Sequence, residues 1–263
     1  MTTLDTIAAQ PLKGGPLDRN RLAALFSFAL LILGALWLAE AISGKQAALF
    51  LTGGALGVVL YHAAFGFTSA YRVLIADGRG AGLRAQMVML ALAAILFFPT
   101  VAGGSLFGHT VASNVYPIGI GLVVGAFLFG VGMQLGSGCA SGTLYTVGGG
   151  STRMIVTLAF FILGSTLGSA HFDWWESLPK FAPVDTIKLF GWPGALAGHL
   201  ALFAAIAAGT VLIERRVHGR LVSEPQSARH GFARLLRGPW PLIGGAVGLA
   251  LLNFLTLAVA GKP

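Results

Sequence analysis

Long stretches without a charged side chain alternate with short clusters of basic residues along this chain. Six runs contain no Asp, Glu, Lys or Arg, and they cover residues 22–39, 46–71, 85–152, 154–172, 189–213 and 238–261. A helix needs about 20 mostly apolar residues to cross a bilayer core of about 30 Å. Five of the six runs are long enough, and the first is marginal. The pattern therefore predicts several membrane-spanning helices.

The longest run, residues 85–152, is too long for one span. Its middle, PTVAGGSLFGHTVASNVYP at residues 99–117, is rich in Gly, Ser, Thr and Asn, which is typical of a turn between two spans. We expect about seven membrane segments, near residues 22–42, 47–70, 84–102, 117–138, 152–171, 193–214 and 239–260. The predicted fold class is all-α, a polytopic helical bundle in the membrane.

The ends of the membrane domain follow from the same pattern. Residues 1–20 contain Pro and Gly and lack a signal-peptide cleavage pattern, so we expect a disordered tail followed by a membrane domain over residues 21–263. Between the spans, residues 171–193 hold Trp174, Trp175 and Trp192 beside mixed charges. Indole rings prefer the membrane–water interface, so this loop is predicted to lie at the membrane surface.

Composition and charge agree with a membrane protein. Hydrophobic residues make up 56% of the chain and charged residues 10%, against roughly 25% charged in soluble domains. If the segments alternate from a cytoplasmic N-terminus, thirteen of the 17 Lys and Arg fall on the cytoplasmic side, as the positive-inside tendency requires. The net charge of +8 is then mainly a topology signal. We expect the lipid bilayer as a partner and no nucleic acid, because the basic loop 214–237 has one aromatic residue, Phe232.

The single cysteine, Cys139, lies in the glycine-rich sequence GVGMQLGSGCASGTLYTVGGGST at residues 130–152. The G-x-x-x-G pairs at residues 121/125 and 132/136 predict close helix packing. They do not explain GSGCASG, where the density of glycine favours an interruption of the helix. Interrupted backbone at membrane depth is tolerated only where it is buried in protein or lines a wet cavity. The pattern predicts a broken, re-entrant arrangement of helix, Gly-Cys loop and short helix.

Such a loop can attract an anion. The N–H groups of Ser141, Gly142 and Thr143 would open the second short helix, and the helix dipole adds positive potential. A neutral Cys139 thiol would add a soft S–H donor that suits a sulfur atom on the ligand. A buried, chemically inert cysteine is an equally open interpretation.

A weaker repeat precedes this stretch. GVVLYHAAFGFTSAYR at residues 57–72 aligns with GVGMQLGSGCASGTLYT at residues 130–146, with Phe65 and Gly66 near the place of Gly138 and Cys139. We interpret this as a second broken hairpin, although chance similarity between two glycine-containing helices remains an alternative. His62, one turn before Phe65, is the one histidine in a position to line a pathway, and an interhelical hydrogen bond is its simpler role.

GAFLFGVGMQLGSGCASGTLYTVGGGSTRM, together with FGFTSAYR and LRAQ, resembles the YeeE/YedE family of bacterial membrane proteins, which are similar to thiosulfate transporters. The resemblance covers residues from about 47 onward. It implies a bundle in the bacterial inner membrane with short helices that dip toward its centre, where cysteine loops pass thiosulfate inward. It assigns a relay role to Cys139. The candidate pathway residues are Cys139, Gly138, Ser141, Gly142, Thr143, Phe65 and Gly66.

The resemblance also implies a second half with another glycine–cysteine loop, and this sequence contains no second cysteine. We therefore expect the chain to correspond to the N-terminal half of a longer family fold, with a C-terminal half or a partner subunit to complete it. A degenerate family member is the alternative. A cytoplasmic sulfur-carrier protein is a further candidate partner.

The expected function is transport of a small sulfur-containing anion, most directly thiosulfate uptake, and not catalysis. A membrane sulfurtransferase that carries a persulfide on Cys139, or a structural membrane subunit, are the alternatives. The six histidines show no metal-ligand spacing with one another or with Cys139, so we expect neither a metal nor a cofactor.

Overall fold

The computed structural model of this chain describes residues 19–111, 115–222 and 238–261. Its helices there are α1 (Arg19–Ala41), α2 (Gly44–Ala63), α3 (Phe67–Asp77), α4 (Ala81–Gly103), α5 (Ile120–Leu135), α6 (Ala140–Gly148), α7 (Arg153–Ala170), α8 (Phe172–Ser177), α9 (Thr186–His218) and α10 (Leu242–Ala260). Strands β1 (Ser105–Leu106) and β2 (His109–Thr110) form a short antiparallel hairpin. Seven helical stretches in this part of the chain are long and apolar enough to cross a membrane. The all-α, polytopic prediction is confirmed.

The helix boundaries differ from the predicted segments in informative places. Predicted segment 47–70 is two helices, α2 and α3, and segment 117–138 is α5 followed by a break before α6. Helix α4 runs through Pro99 to Gly103, so the predicted turn region begins later than expected. The structure places residues 19 and 20 in α1, and the rest of the predicted tail lies outside the described residues.

The chain divides into two compact units, at residues 1–51 and 52–263. In the first unit, Gly34 of α1 lies against the ring of Phe50, because a Cβ at Gly34 would be 3.1 Å from Phe50 Cε1. Most α1 side chains are exposed although they are apolar, including Phe26 and Trp37. An exposed, uniformly apolar helix is typical of a surface that meets lipid.

The core of the second unit lies where α2, α4 and α10 meet. Small residues let the helices approach closely: a Cβ at Gly245 of α10 would lie 2.4 Å from Ala63 Cβ of α2. Helix α4 is central, since it contacts α3, α9 and α10. The buried core cluster consists of Val59, Ala63, Phe65, Ala85, Met89, Ala246, Leu249 and Ala250.

A buried ion pair joins α4 to α9. Arg84 Nη1 lies 2.6 Å from Glu214 Oε2, and the Glu214 side chain is 0% exposed. The same carboxylate accepts hydrogen bonds from the N–H groups of Gly80 at 3.3 Å and Val222 at 2.9 Å. A charge in an apolar interior is tolerated when it is both paired and hydrogen-bonded, as here.

Helices α5 and α7 contain no buried residues in the described chain. A Cβ at Gly125 or Gly132 of α5 would meet nothing within 4 Å. A Cβ at Gly136, just past α5, would lie 3.1 Å from Thr157 Cγ2 of α7. Within the described residues, Gly125 and Gly132 are therefore not packed against another helix, and close packing at the two G-x-x-x-G pairs stays a prediction.

The tryptophan-rich loop forms the short helix α8. Trp174 and Trp175 meet edge to face with ring centroids 4.8 Å apart, and Trp174 is exposed. Lys180 Nζ pairs with Glu176 Oε2 at 2.5 Å one turn along. Its location at a membrane surface stays a prediction. In the basic loop 214–237, residues 223–237, including Phe232, lie outside the described part.

Candidate functional site

The helix is interrupted at Cys139, as the glycine pattern predicts. Helix α5 ends at Leu135 and α6 begins at Ala140. Between them Ser137 adopts a φ of +60°, a left-handed conformation that is uncommon for a residue other than glycine. The local turn therefore fixes where the chain leaves α5 and how it enters α6.

Cys139 is the N-cap residue of α6. Its carbonyl oxygen accepts the Thr143 N–H at 2.8 Å, and its Sγ accepts the Gly142 N–H at 3.4 Å. Ser141 Oγ lies 3.3 Å from the same sulfur. Ser, Thr, Asp and Asn are the usual N-caps, so a thiol here gives a weaker cap than a hydroxyl would. These contacts hold the thiol in one orientation at the start of α6.

Two of the three backbone N–H groups that were predicted to be free for a ligand are already hydrogen-bonded. Gly142 N–H and Thr143 N–H were expected to face a ligand, and both are satisfied by Cys139 itself. The physical reason is the N-cap geometry, in which the capping residue takes up donors of the first helical turn. Of the three predicted donors, the Ser141 N–H is the one without such a bond to Cys139.

Glycine at position 138 lets the loop lie directly on α6. A Cβ there would be 3.2 Å from both Thr143 N and Thr143 Oγ1, and 3.3 Å from Met154 Cε. Thr143 is only 2% exposed, so it has little freedom to move away. Gly138 therefore positions Cys139 between the first turns of α6 and α7.

A pocket of about 420 Å³ opens beside the thiol, between α5, α6 and α7. Gly138, Cys139 and Thr143 line it, whereas Ser141 and Gly142 lie outside its lining and act through the cap. Its other walls are mainly apolar and aromatic, and none of its described lining residues is charged. The aromatic lining residues are Phe129, Phe160 and Phe161.

A second break separates α2 from α3, as the weaker repeat predicts. Ala64 adopts a φ of +46°, so each break contains a left-handed residue that is not glycine. Phe65 is 2% exposed and meets Phe67 edge to face, which anchors the break in the core. Gly66 is the N-cap of α3 and has no side-chain cap.

Helix α6 brings the two breaks together. A Cβ at Gly66 would be 3.3 Å from Tyr145 Oη and 2.7 Å from Ser69 Oγ, so glycine makes room for the tyrosine. Tyr145 lies six residues after Cys139, about 9 Å along the helix at 1.5 Å per residue. The predicted pathway residues therefore occupy neighbouring loops, although Cys139 and Phe65 line different pockets.

Two hydrogen bonds also link α3 to α5, one helix from each of the two interrupted stretches. Arg72 of α3 donates through Nη2 to Gln134 O at 3.1 Å and through Nε to Gln134 Oε1 at 3.3 Å, at the end of α5. Neither this contact nor a role for Tyr145 was predicted from the sequence. Tyr71 and Tyr145, near the ends of the two aligned stretches, were the available signal for the tyrosine, and no sequence signal pairs Arg72 with Gln134.

His62 lies where α2 meets the segment that leads into α10. Its Nδ1 lies 2.9 Å from Val58 O within α2, and its ring packs against Trp240 with centroids 5.4 Å apart. The interhelical hydrogen bond expected of its ring stays a prediction. In residues 19–111, 115–222 and 238–261, no three His, Cys, Asp or Glu side chains come close enough to hold a metal ion.

Apolar spans interrupted by loops that meet near a pocket define a polytopic helical membrane protein with discontinuous helices, an architecture that transport proteins use. The chain belongs to the sulphur transport family, whose sequence model matches residues 62–263. The resemblance to the YeeE/YedE family is thereby confirmed.

Several named relatives match parts of the chain. The thiosulfate transporter TsuA of Spirochaeta thermophila is 34% identical over 128 residues, which is 48% of this chain and 38% of that protein. The probable transporter YedE of Escherichia coli is 30% identical over 207 residues, 76% of this chain and 49% of its own length. The Escherichia coli thiosulfate transporter TsuA is 25% identical over 122 residues, 46% of this chain and 34% of its own. The matched region spans less than half of each relative.

Proposed function

We propose that this chain contributes to a pathway that carries a small sulfur-containing anion, thiosulfate, across the bacterial inner membrane into the cytoplasm. The observation that carries the proposal is a thiol fixed at a helix break and lining an apolar pocket. Two matched relatives are named thiosulfate transporters, which supports the choice of anion. The basic-residue asymmetry supports a cytoplasmic N-terminus.

The Cys139 site would bind the anion weakly and release it. The Gly142 N–H donates to Sγ, and when the Ser141 hydroxyl 3.3 Å away also donates to it, the Cys139 S–H is left to donate toward the pocket. A thiol is a weak donor that suits a polarisable sulfur atom. With no charged side chain among its described lining residues, the pocket holds an anion without the strong ion pair that would slow release.

A C-terminal half or a partner subunit would complete this pathway. Gly125 and Gly132 of α5 and Gly164 and Gly168 of α7 have nothing within 4 Å of an added Cβ in the described chain. Small residues on exposed spans let another helix approach closely in lipid. A sulfur-carrier protein on the cytoplasmic side would then receive the transported sulfur.

Sulfur transfer to Cys139 is the second candidate. The Cys139 side chain is partly exposed and lines the pocket, and its thiolate is the form that would act as the nucleophile. That thiolate would attack the outer sulfur of thiosulfate, form a persulfide and release sulfite as the leaving group. Mass spectrometry of the chain after exposure to thiosulfate would show the added sulfur atom if this reaction occurs.

Uptake of radiolabelled thiosulfate tests the transport proposal. Cells that lack thiosulfate uptake would express the wild-type chain, Cys139→Ser or Cys139→Ala. Serine keeps the N-cap and removes the soft sulfur, whereas alanine removes both, so a role for the sulfur predicts at least a tenfold loss in both variants. Thr166→Ala, which removes an exposed hydroxyl bonded within α7, is the matched control and should keep wild-type uptake.

Wild-type uptake no greater than that of cells without the chain would mean that the pathway needs the C-terminal half or the partner subunit, and the variants are then compared with it co-expressed. One result would contradict the role of the thiol. Full uptake by Cys139→Ser would show that the thiol has a structural role only.

A further inference from the structure

We infer that the groove between α3 and α4 is a second anion site, which selects a small anion that still carries a proton. The groove has a volume of about 360 Å³ and is closed on one side by the start of α10. Its lining includes Gly66, Val73, Arg79, Gln86 and Leu242. None of these residues lines the pocket beside Cys139.

Gln86 supplies an acceptor that has no donor. Its side chain is 1% exposed, and its Nε2 donates to Gly66 O at 3.4 Å. Because a carbonyl oxygen can only accept, this bond fixes the amide orientation and leaves Oε1 facing elsewhere. Oε1 is buried and accepts no hydrogen bond from the described residues. A buried acceptor without a donor is destabilising, so a ligand that donates to it gains free energy.

Arg79 supplies the charge at the same groove. It is half-buried, and its Nε is buried without a hydrogen-bond partner in residues 19–111, 115–222 and 238–261. Within the described residues it makes no ion pair, whereas Arg84, five positions later, is paired with Glu214. A partly buried guanidinium without a counter-charge favours an anionic ligand, and its hydrogen bonds to anions are strong.

Arg79 and Gln86 require different hydrogen-bonding groups on the ligand. Arg79 can only donate, so it needs an anionic oxygen or sulfur, and Gln86 Oε1 can only accept, so it needs an O–H or S–H. Hydrogen phosphate, hydrogen sulfite and hydrosulfide meet both demands at neutral pH. Sulfate and thiosulfate carry no proton there, so either would leave the Gln86 acceptor without a donor. The site is therefore expected to differ in selectivity from the thiosulfate pathway.

Hydrogen phosphate and sulfate form a matched pair for the test, because both are tetrahedral oxyanions of similar size and only one carries a proton. Isothermal titration calorimetry of the purified chain in detergent at neutral pH measures both. We expect hydrogen phosphate to bind at least tenfold more tightly than sulfate. Hydrogen sulfite should also bind more tightly than sulfate. The measurement needs no transport, so its outcome is independent of the uptake assay.

Three variants identify the groups responsible. Gln86→Met has a similar volume without the acceptor and should reduce the preference for hydrogen phosphate to less than threefold. Gln86→Glu keeps the acceptor but adds a negative charge, so it should bind neither hydrogen phosphate nor sulfate. Arg79→Gln should also bind neither anion. Arg216→Gln, on the exposed surface of α9, is the charge-matched control and should bind as wild type does.

Several outcomes would overturn the inference. These are no detectable binding of hydrogen phosphate, equal binding of the two anions by the wild-type chain, or unchanged selectivity in Gln86→Met. Thermal melting of each variant checks that it is folded. If Gln86→Met is not folded, Gln86→Glu and Arg79→Gln decide, and retained binding in both would refute the site.

Discussion

The buried pair between Arg84 and Glu214 gives the sharpest prediction about stability. Replacing Glu214 by glutamine preserves the side-chain shape and removes the negative charge from a position that is 0% exposed. The amide oxygen can take the place of Oε2, which accepts from Gly80 and Arg84, but the NH2 group then takes the place of Oε1 and cannot accept from the Val222 N–H. The variant thus removes the charge that balances the guanidinium together with one hydrogen bond.

The burial of the pair sets the expected loss in the free energy of unfolding. Removing one partner of a buried ion pair costs about 3–5 kcal/mol, because the other charge is left uncompensated. Glutamine retains two of the three hydrogen-bond functions, so we expect the lower end, about 3 kcal/mol. Glu214→Gln combined with Arg84→Met removes the uncompensated charge as well, and should restore about 2 kcal/mol of that loss.

Unfolding in mixed micelles with a rising fraction of sodium dodecyl sulfate, followed by circular dichroism, measures these free energies. Lys180→Gln is the control, since it breaks the exposed pair with Glu176, and an exposed pair contributes about 0–1 kcal/mol. A Glu214→Gln cost no larger than that of Lys180→Gln would refute the account of how α4 and α9 are joined. So would a double variant that is less stable than Glu214→Gln alone.

Three further variants can be measured by the same unfolding assay. Gly245→Val places a side chain where a Cβ already lies 2.4 Å from Ala63 Cβ, and it should lose about 1–3 kcal/mol; wild-type stability would contradict the close contact of α2 and α10. Ser137→Gly removes the strain of a left-handed φ and should gain about 1 kcal/mol, so a loss would argue against that backbone conformation. Gly138→Ala crowds Thr143 and should lose about 1–2 kcal/mol, and no loss would show that the loop is not pressed onto α6.

The spans were predictable because lipid imposes a simple rule on composition. Charge-free runs located every long helix, but their ends depend on partners that the sequence does not reveal. The segment predicted to end at residue 214 continues to His218 in α9. Glu214 looked like the start of a solvated loop, yet it is buried because Arg84, 130 positions away, compensates its charge. A single sequence cannot show that pairing.

The candidate site was predictable in outline and not in its contacts. Clustered glycines located the break at Cys139, because a helix with that many glycines loses stability. The prediction of free donors failed, since Cys139 caps α6 and satisfies Gly142 and Thr143 itself. The approach of Tyr145 to Gly66 arises from tertiary packing between distant segments, and no local pattern specifies it.

The central claim is that the Cys139 thiol faces a space that a sulfur anion enters. Cys139 is the single cysteine of the chain, so a maleimide reagent labels that thiol alone. Labelling rates in membrane vesicles, measured with and without thiosulfate, therefore report directly on this position. We expect thiosulfate to slow labelling in a concentration-dependent manner, whereas sulfate, which lacks an outer sulfur, should leave the rate unchanged. Labelling that is unaffected by thiosulfate, or slowed equally by sulfate, would contradict the central claim.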